Sequence, residues 1–181
     1  LDRGETLEDL LRRWGGSPLP GWRRRCPGGI REVLDSFARL ARLLGELSGA
    51  GLPIGRLHPR ALRLGPDGRV RLDAAQLTAE ERGDSEPSSD PMFPTPDEWA
   101  PYLAPERLLA PDGAPSSSGE ESGVYSLAAI LHHCLAGTPP WSGRSRAEVA
   151  DRILAGAPPA PIPTERDLPR GVAPLLADAL A

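Results

Sequence analysis

The sequence predicts a mainly α-helical domain with one small β-hairpin, and three observations carry that reading. From Ile30 to Leu47 the apolar residues Ile30, Val33, Leu34, Phe37, Leu40, Ala41, Leu44 and Leu47 recur at a helical period, while Arg31, Glu32, Asp35, Arg39, Arg42 and Glu46 fall off the stripe. From Ser122 to Gly143 there is no formal charge over 22 residues. That stretch holds His132, His133, Gly137, Pro139 and Pro140, so it reads as a buried helix plus a turn rather than a membrane span. Finally, Leu62 and Leu64, then Val70 and Leu72, alternate with their neighbours on either side of Gly65-Pro66-Asp67-Gly68, the pattern of a hairpin.

The elements follow in order. Thr6 and Asp9 form a capping-box pattern ahead of Leu7, Leu10, Leu11 and Trp14, with Gly15 and Gly16 closing a short helix. Residues 15–29 are expected to be loop, given Pro18, Pro20 and Pro27 and the exposed run Arg23-Arg24-Arg25. The long helix then ends at Gly49 and Gly51. After the hairpin, residues 78–101 are expected to form an acidic loop. Val124 to Ala136 is the buried helix, stopped by Gly137. Ser145-x-x-Glu148 caps a helix to Leu154, the prolines of 158–163 space two elements, and a last helix begins near Val172.

Composition excludes several chemistries. A length of 181 residues suits one domain over 1–181 with a sizeable core. With 22 prolines and 20 glycines, short helices joined by loops are expected. All 21 basic residues are arginine; there is no lysine and no asparagine. A GC-rich coding region is the simplest source of that bias, but the chemical exclusion stands whatever its origin. A lysine Schiff base, a phosphate-loop lysine and an asparagine metal ligand are unavailable to this chain. The net charge of −4 argues against a dedicated nucleic-acid binder. Cys26 and Cys134 give no disulfide framework, and charged residues open the chain with no signal peptide visible. A reducing, cytoplasmic setting is therefore expected. His132, His133 and Cys134 are adjacent on a helix and point about 100° apart, so no metal site is expected; Cys134 reads as core and one histidine as a satisfied polar contact.

The motifs add a resemblance. Behind the long helix and hairpin come the acidic stretch, Tyr102-Leu103-Ala104-Pro105-Glu106-Arg107, Val124-Tyr125-Ser126-Leu127 and Gly137-Thr138-Pro139-Pro140-Trp141. In this order they resemble the C-terminal lobe of a eukaryotic-type protein kinase. Ala104, Pro105 and Glu106 look like the element that closes a kinase activation segment, which makes 78–101 activation-segment-like. Thr6-Leu7…Leu11 followed by Gly16-Ser17-Pro18-Leu19, Pro59 to Leu64 and Gly68 to Val70 also resemble the kinase non-catalytic C-lobe domain, the KIND family. Residues 20–29 depart from that family, and the turn at 137–141 fits a decayed pseudokinase better than that family.

The resemblance implies where the chemistry should be, and the residues there are wrong for it. Where a kinase reads His-Arg-Asp-Leu-Lys-Pro-Glu-Asn, this chain has Ile54-Gly55-Arg56-Leu57-His58-Pro59-Arg60-Ala61. The general-base position is Arg56, the phosphate-contacting lysine position is His58 and the metal-ligand asparagine position is Ala61. The Asp-Phe-Gly position holds Ala74-Ala75-Gln76, with Asp73 one residue early, and Gly123 stands where an aspartate anchors the catalytic loop. Arginine cannot accept a hydroxyl proton and alanine cannot bind Mg²⁺. His58 has no nucleophile or carboxylate spaced to make it a base. The kinase N-lobe is expected to be absent, with no Gly-rich phosphate loop and no lysine.

The expected function is therefore non-catalytic: a protein–protein interaction or scaffold module with no cofactor and no metal. The alternative is a fragment of a divergent serine/threonine kinase. Residues 79–98 carry Glu80, Glu81, Asp84, Glu86, Asp90, Asp97 and Glu98 against Arg82 alone, a net −6. This run is the candidate landing site for a protein partner, a basic peptide segment.

Overall fold

A computed structural model describes residues 4–15, 19–51, 57–73, 95–109, 120–162 and 168–181. The chain runs β1 (Glu5–Thr6), α1 (Leu7–Trp14), α2 (Leu19–Arg25), α3 (Ile30–Gly49), a 3-10 turn (Pro59–Ala61), β2 (Leu62–Leu64) and β3 (Val70–Leu72). It continues with α4 (Pro96–Trp99), a second 3-10 turn (Ala100–Tyr102), α5 (Pro105–Leu108), α6 (Glu120–Ala136), α7 (Arg146–Leu154) and α8 (Val172–Ala179). The protein is mostly helical with one small sheet.

The core is built on α3 and α6. The period of α3 puts Ile30, Val33, Phe37, Leu40 and Leu44 inward. On α6 the apolar residues surround the helix: Leu127, Ala129, Ile130, Leu131, Cys134 and Leu135 are all buried. A helix that is apolar all round must be enclosed by protein, which explains the uncharged stretch. α6 starts at Glu120, four residues ahead of the expected Val124. Among the described residues no helix is long and apolar enough to cross a membrane.

Three expectations are corrected. The hairpin β2–β3 is present, with Leu62 opposite Leu72 and Leu64 opposite Val70, but the sheet has three strands. β1 pairs antiparallel with β2, Glu5 facing Leu64 and Thr6 facing Arg63. A two-residue strand is too short to show alternation, so only the pairing reveals it. Residues 15–29 are not all loop, because α2 lies there. Pro20 sits in the first turn of α2, where an N–H has no helical acceptor and proline costs little. Gly21 lets α2 approach α1; a Cβ there would lie 2.4 Å from the Trp14 ring. Trp22 is then wholly buried, edge-on to Trp14 with ring centroids 4.8 Å apart. Its indole N–H donates to the Cys134 carbonyl at 2.7 Å, one of the last four carbonyls of α6, which lack helical donors. The acidic loop of 78–101 ends in helical turns, α4 and the 3-10 turn after it.

Candidate functional site

The site begins where the first 3-10 turn leads into β2. His58 is extended (φ −131°, ψ 154°) and caps the turn, its Nδ1 accepting the Arg60 amide N–H at 3.3 Å. Pro59 at the first position suits the turn because it needs no donor. The Ala61 N–H returns to the His58 carbonyl at 2.8 Å, and the Asp73 N–H donates to the Ala61 carbonyl at 2.7 Å. The catalytic-loop-like stretch is thus pinned to the end of β3.

His58 is 4% exposed. Trp99 and Tyr102 pack on its ring with centroids 5.0 and 5.1 Å away, the latter edge-on. Burial drives its pKa down to about 3, and the nearby Arg60 charge adds to the fall. Glu98, through its charge and a backbone hydrogen bond, opposes it. The imidazole is neutral at pH 7. The cluster continues through the Tyr102 hydroxyl, which shares a hydrogen bond of 2.7 Å with His133 Nδ1. Burial lowers the His133 pKa to about 4, helped by the adjacent His132.

Ala61 is buried and offers no ligand atom. Asp73 binds the Arg63 guanidinium at 2.7 Å, and Arg63 also donates to the Gly4 carbonyl at 3.2 Å. Its carboxylate is a brace between β2 and the chain leaving β3. Arg56 and Ala74 lie outside the described residues, as do Glu80, Glu81, Asp84, Glu86 and Asp90.

Asp97 and Glu98 are described, exposed and already engaged. Asp97 accepts the Arg146 amide at 2.7 Å. Glu98 accepts the Thr95 amide at 2.7 Å and the Thr95 hydroxyl at 3.1 Å, a reciprocal cap on α4. The Thr95 amide bond holds the Glu98 carboxyl below the usual carboxylate range. Ala104 precedes α5, with Pro105 at its first position. Glu106 receives the Ser122 hydroxyl, which ties α5 to α6. Arg146 clamps the same region, donating to the Leu108 carbonyl at 2.8 Å and the Arg107 carbonyl at 3.2 Å.

The other singled-out residues are structural. Both free cysteines are buried. His132 contacts the Ala160 carbonyl through Nε2 at 2.7 Å and the Thr138 carbonyl through Nδ1 at 3.2 Å. A neutral imidazole has one N–H, and the shorter contact places it on Nε2. What the sequence did not reveal is the aromatic cover on His58 and a bridge from Arg60 to Glu8 of α1, with Arg12 on the same carboxylate at 2.8 Å. Their only sequence signal was tryptophan and tyrosine just ahead of Ala104-Pro105-Glu106.

Comparison with curated proteins finds the serine/threonine-protein kinase PknA of Mycobacterium tuberculosis, 28% identical over 185 residues. PknA of Mycobacterium bovis matches to the same extent. The chain resembles part of a serine/threonine kinase. The alignment takes in 97% of this chain but 36% of the PknA length, so the chain spans about a third of those relatives. No protein-family model matches it. The mostly helical fold with its small sheet is compatible with a kinase-like C-lobe.

Proposed function

We propose that this chain is a non-catalytic protein-interaction or scaffold module built on a degenerate kinase C-lobe, of the pseudokinase or KIND kind. The observation that supports it is the state of His58. At the position of a kinase's phosphate-contacting lysine stands a neutral imidazole, buried beneath Trp99 and Tyr102 and spent on capping its own turn. A phosphate at that point would meet no cation from His58. The neighbouring Ala61 and the Arg63-bound Asp73 support the same reading. The setting is the cytoplasm, in keeping with two buried free thiols.

The partner is a protein with a basic segment, met by the acidic run of 79–98. Asp97 and Glu98 already serve the fold, so Glu80, Glu81, Asp84, Glu86 and Asp90 carry the attraction. Such contacts raise the association rate and its salt dependence more than intrinsic affinity.

The second reading is a fragment of a divergent serine/threonine kinase, favoured by the 28% identity to PknA over nearly the whole chain. Mg·ATP titration and a phosphoryl-transfer assay on the full-length gene product separate the two. The scaffold reading expects no transfer, and capture of a basic peptide that weakens with salt and with neutralisation of the five carboxylates. Saturable Mg·ATP binding with transfer overturns it in favour of the kinase.

A further inference from the structure

The prolines that follow α7 are held in a fixed arrangement. α7 ends on Gly156, whose φ of 63° turns the chain, and the Ala157 N–H donates to the Arg152 carbonyl at 3.0 Å. From there the chain reads Ala157-Pro158-Pro159-Ala160-Pro161-Ile162, in no helix and no strand. Each proline fixes its own φ near about −65° and pushes the residue before it to an extended ψ. Ala157, Pro158 and Ala160 all precede a proline, and no peptide bond among the described residues is cis. These restraints define a polyproline II path, with about three residues per turn and a rise of about 3.1 Å each.

The anchors keep that period. The Ala157 carbonyl accepts the Trp141 indole N–H at 2.9 Å. One turn on, the Ala160 N–H donates to the Pro140 carbonyl at 2.8 Å, and the Ala160 carbonyl meets His132 Nε2 at 2.7 Å. Ala157 and Ala160 therefore face the body of the protein, while Pro158, Pro159 and Pro161 are exposed. Pro158 and Pro161 share one edge, about 9 Å apart by the rise per residue. A rigid spacer between α7 and α8 needs the anchors but gains nothing from pyrrolidine rings turned to water. Proline has no N–H, so this edge is unsuited to extending a partner's β-sheet. It offers apolar rings and carbonyl acceptors.

We propose that residues 157–162 are a preformed polyproline II ligand for the aromatic-lined groove of a partner protein, of the kind that reads Pro-x-x-Pro segments. Such grooves pack aromatic rings against the prolines, and their tyrosine and tryptophan O–H and N–H groups suit the carbonyls between them. A free peptide loses conformational freedom when it binds. Here the bonds to Trp141, Pro140 and His132 have already removed it. The inference concerns a different segment from the acidic run of 79–98 and stands whether or not that reading holds.

The test is titration of the purified, isotope-labelled chain with a purified SH3 domain and a purified WW domain, read by NMR and calorimetry. At least one is expected to bind, with the largest amide shifts at Ala157, Ala160 and Ile162. Pro158→Ala/Pro161→Ala leaves both alanine anchors in place and is expected to weaken binding about fivefold or more. Pro174→Ala, which removes an exposed proline from α8, is expected to leave binding unchanged. A synthetic peptide of residues 156–163 is expected to bind about three- to tenfold more weakly than the folded chain, because it must order on binding. The inference is overturned if neither domain binds, if the shifts centre on another surface, or if the double variant binds as tightly as the wild type. It is equally overturned if the free peptide binds as tightly as the folded chain.

Discussion

Lowering the pH from 7 to 4.5 tests whether His58 is buried and neutral. Its folded pKa of about 3 lies well below the ordinary histidine value of about 6.5. At pH 7 the ring is neutral in the folded state and mostly neutral in the unfolded one, so it contributes little to pH dependence there. Below about 6.5 the unfolded chain takes up the proton first, so stability falls with pH until the folded ring also protonates near 3. At pH 4.5 the gap amounts to two pH units at about 1.4 kcal/mol each, a loss of about 3 kcal/mol from His58 alone. That is a large part of the about 5–15 kcal/mol that holds a domain together. Urea unfolding of the wild type and of His58→Gln at both pH values isolates the effect, since the remaining groups titrate in both proteins. The wild type is expected to lose about 3 kcal/mol more than the variant. Losses equal within about 0.5 kcal/mol, or an NMR titration of the His58 ring near pH 6.5, would refute the reasoning. Either result would make His58 a cation near neutral pH and weaken the proposal that this turn cannot hold phosphate.

Three further outcomes follow from the packing. Trp22→Phe removes the N–H that satisfies a buried carbonyl of α6 and is expected to cost about 1–3 kcal/mol, measured by chemical denaturation. Thr6→Ala removes the side-chain acceptor of the Asp9 amide at the start of α1 and is expected to cost about 0.5–2 kcal/mol by the same measurement. Arg146→Ala releases the carbonyls of Arg107 and Leu108, so amide hydrogen exchange over 95–109 is expected to quicken while α3 and α6 keep their protection.

The long elements were legible because each carries many residues of one period. α3 repeats its apolar stripe over five turns, and α6 is marked by the absence of charge. Local chemistry was equally legible: Thr6 and Ser145 cap their helices through the Asp9 and Glu148 amides, as their spacing predicts. The short elements were not. α2 hides behind its prolines and a triple arginine, and becomes a helix because Trp22 has a place between α1 and the end of α6. β1 exists through its pairing with β2. For the site, the sequence singled out His58 and Ala61 through a resemblance, but not what surrounds them.

By itself the sequence determined the residue types: no lysine and no asparagine, with arginine at 56, histidine at 58 and alanine at 61 and 74. Those are covalent facts and survive any folding. Only the tertiary structure decided their physical state. A histidine near neutral pH can be cation or base, and which it becomes depends on the dielectric around it. Trp99 and Tyr102, more than forty positions away, supply that environment and keep His58 uncharged. The same long-range packing brings Arg60 to the Glu8 carboxylate, because electrostatic fields depend on distance through space and not along the chain.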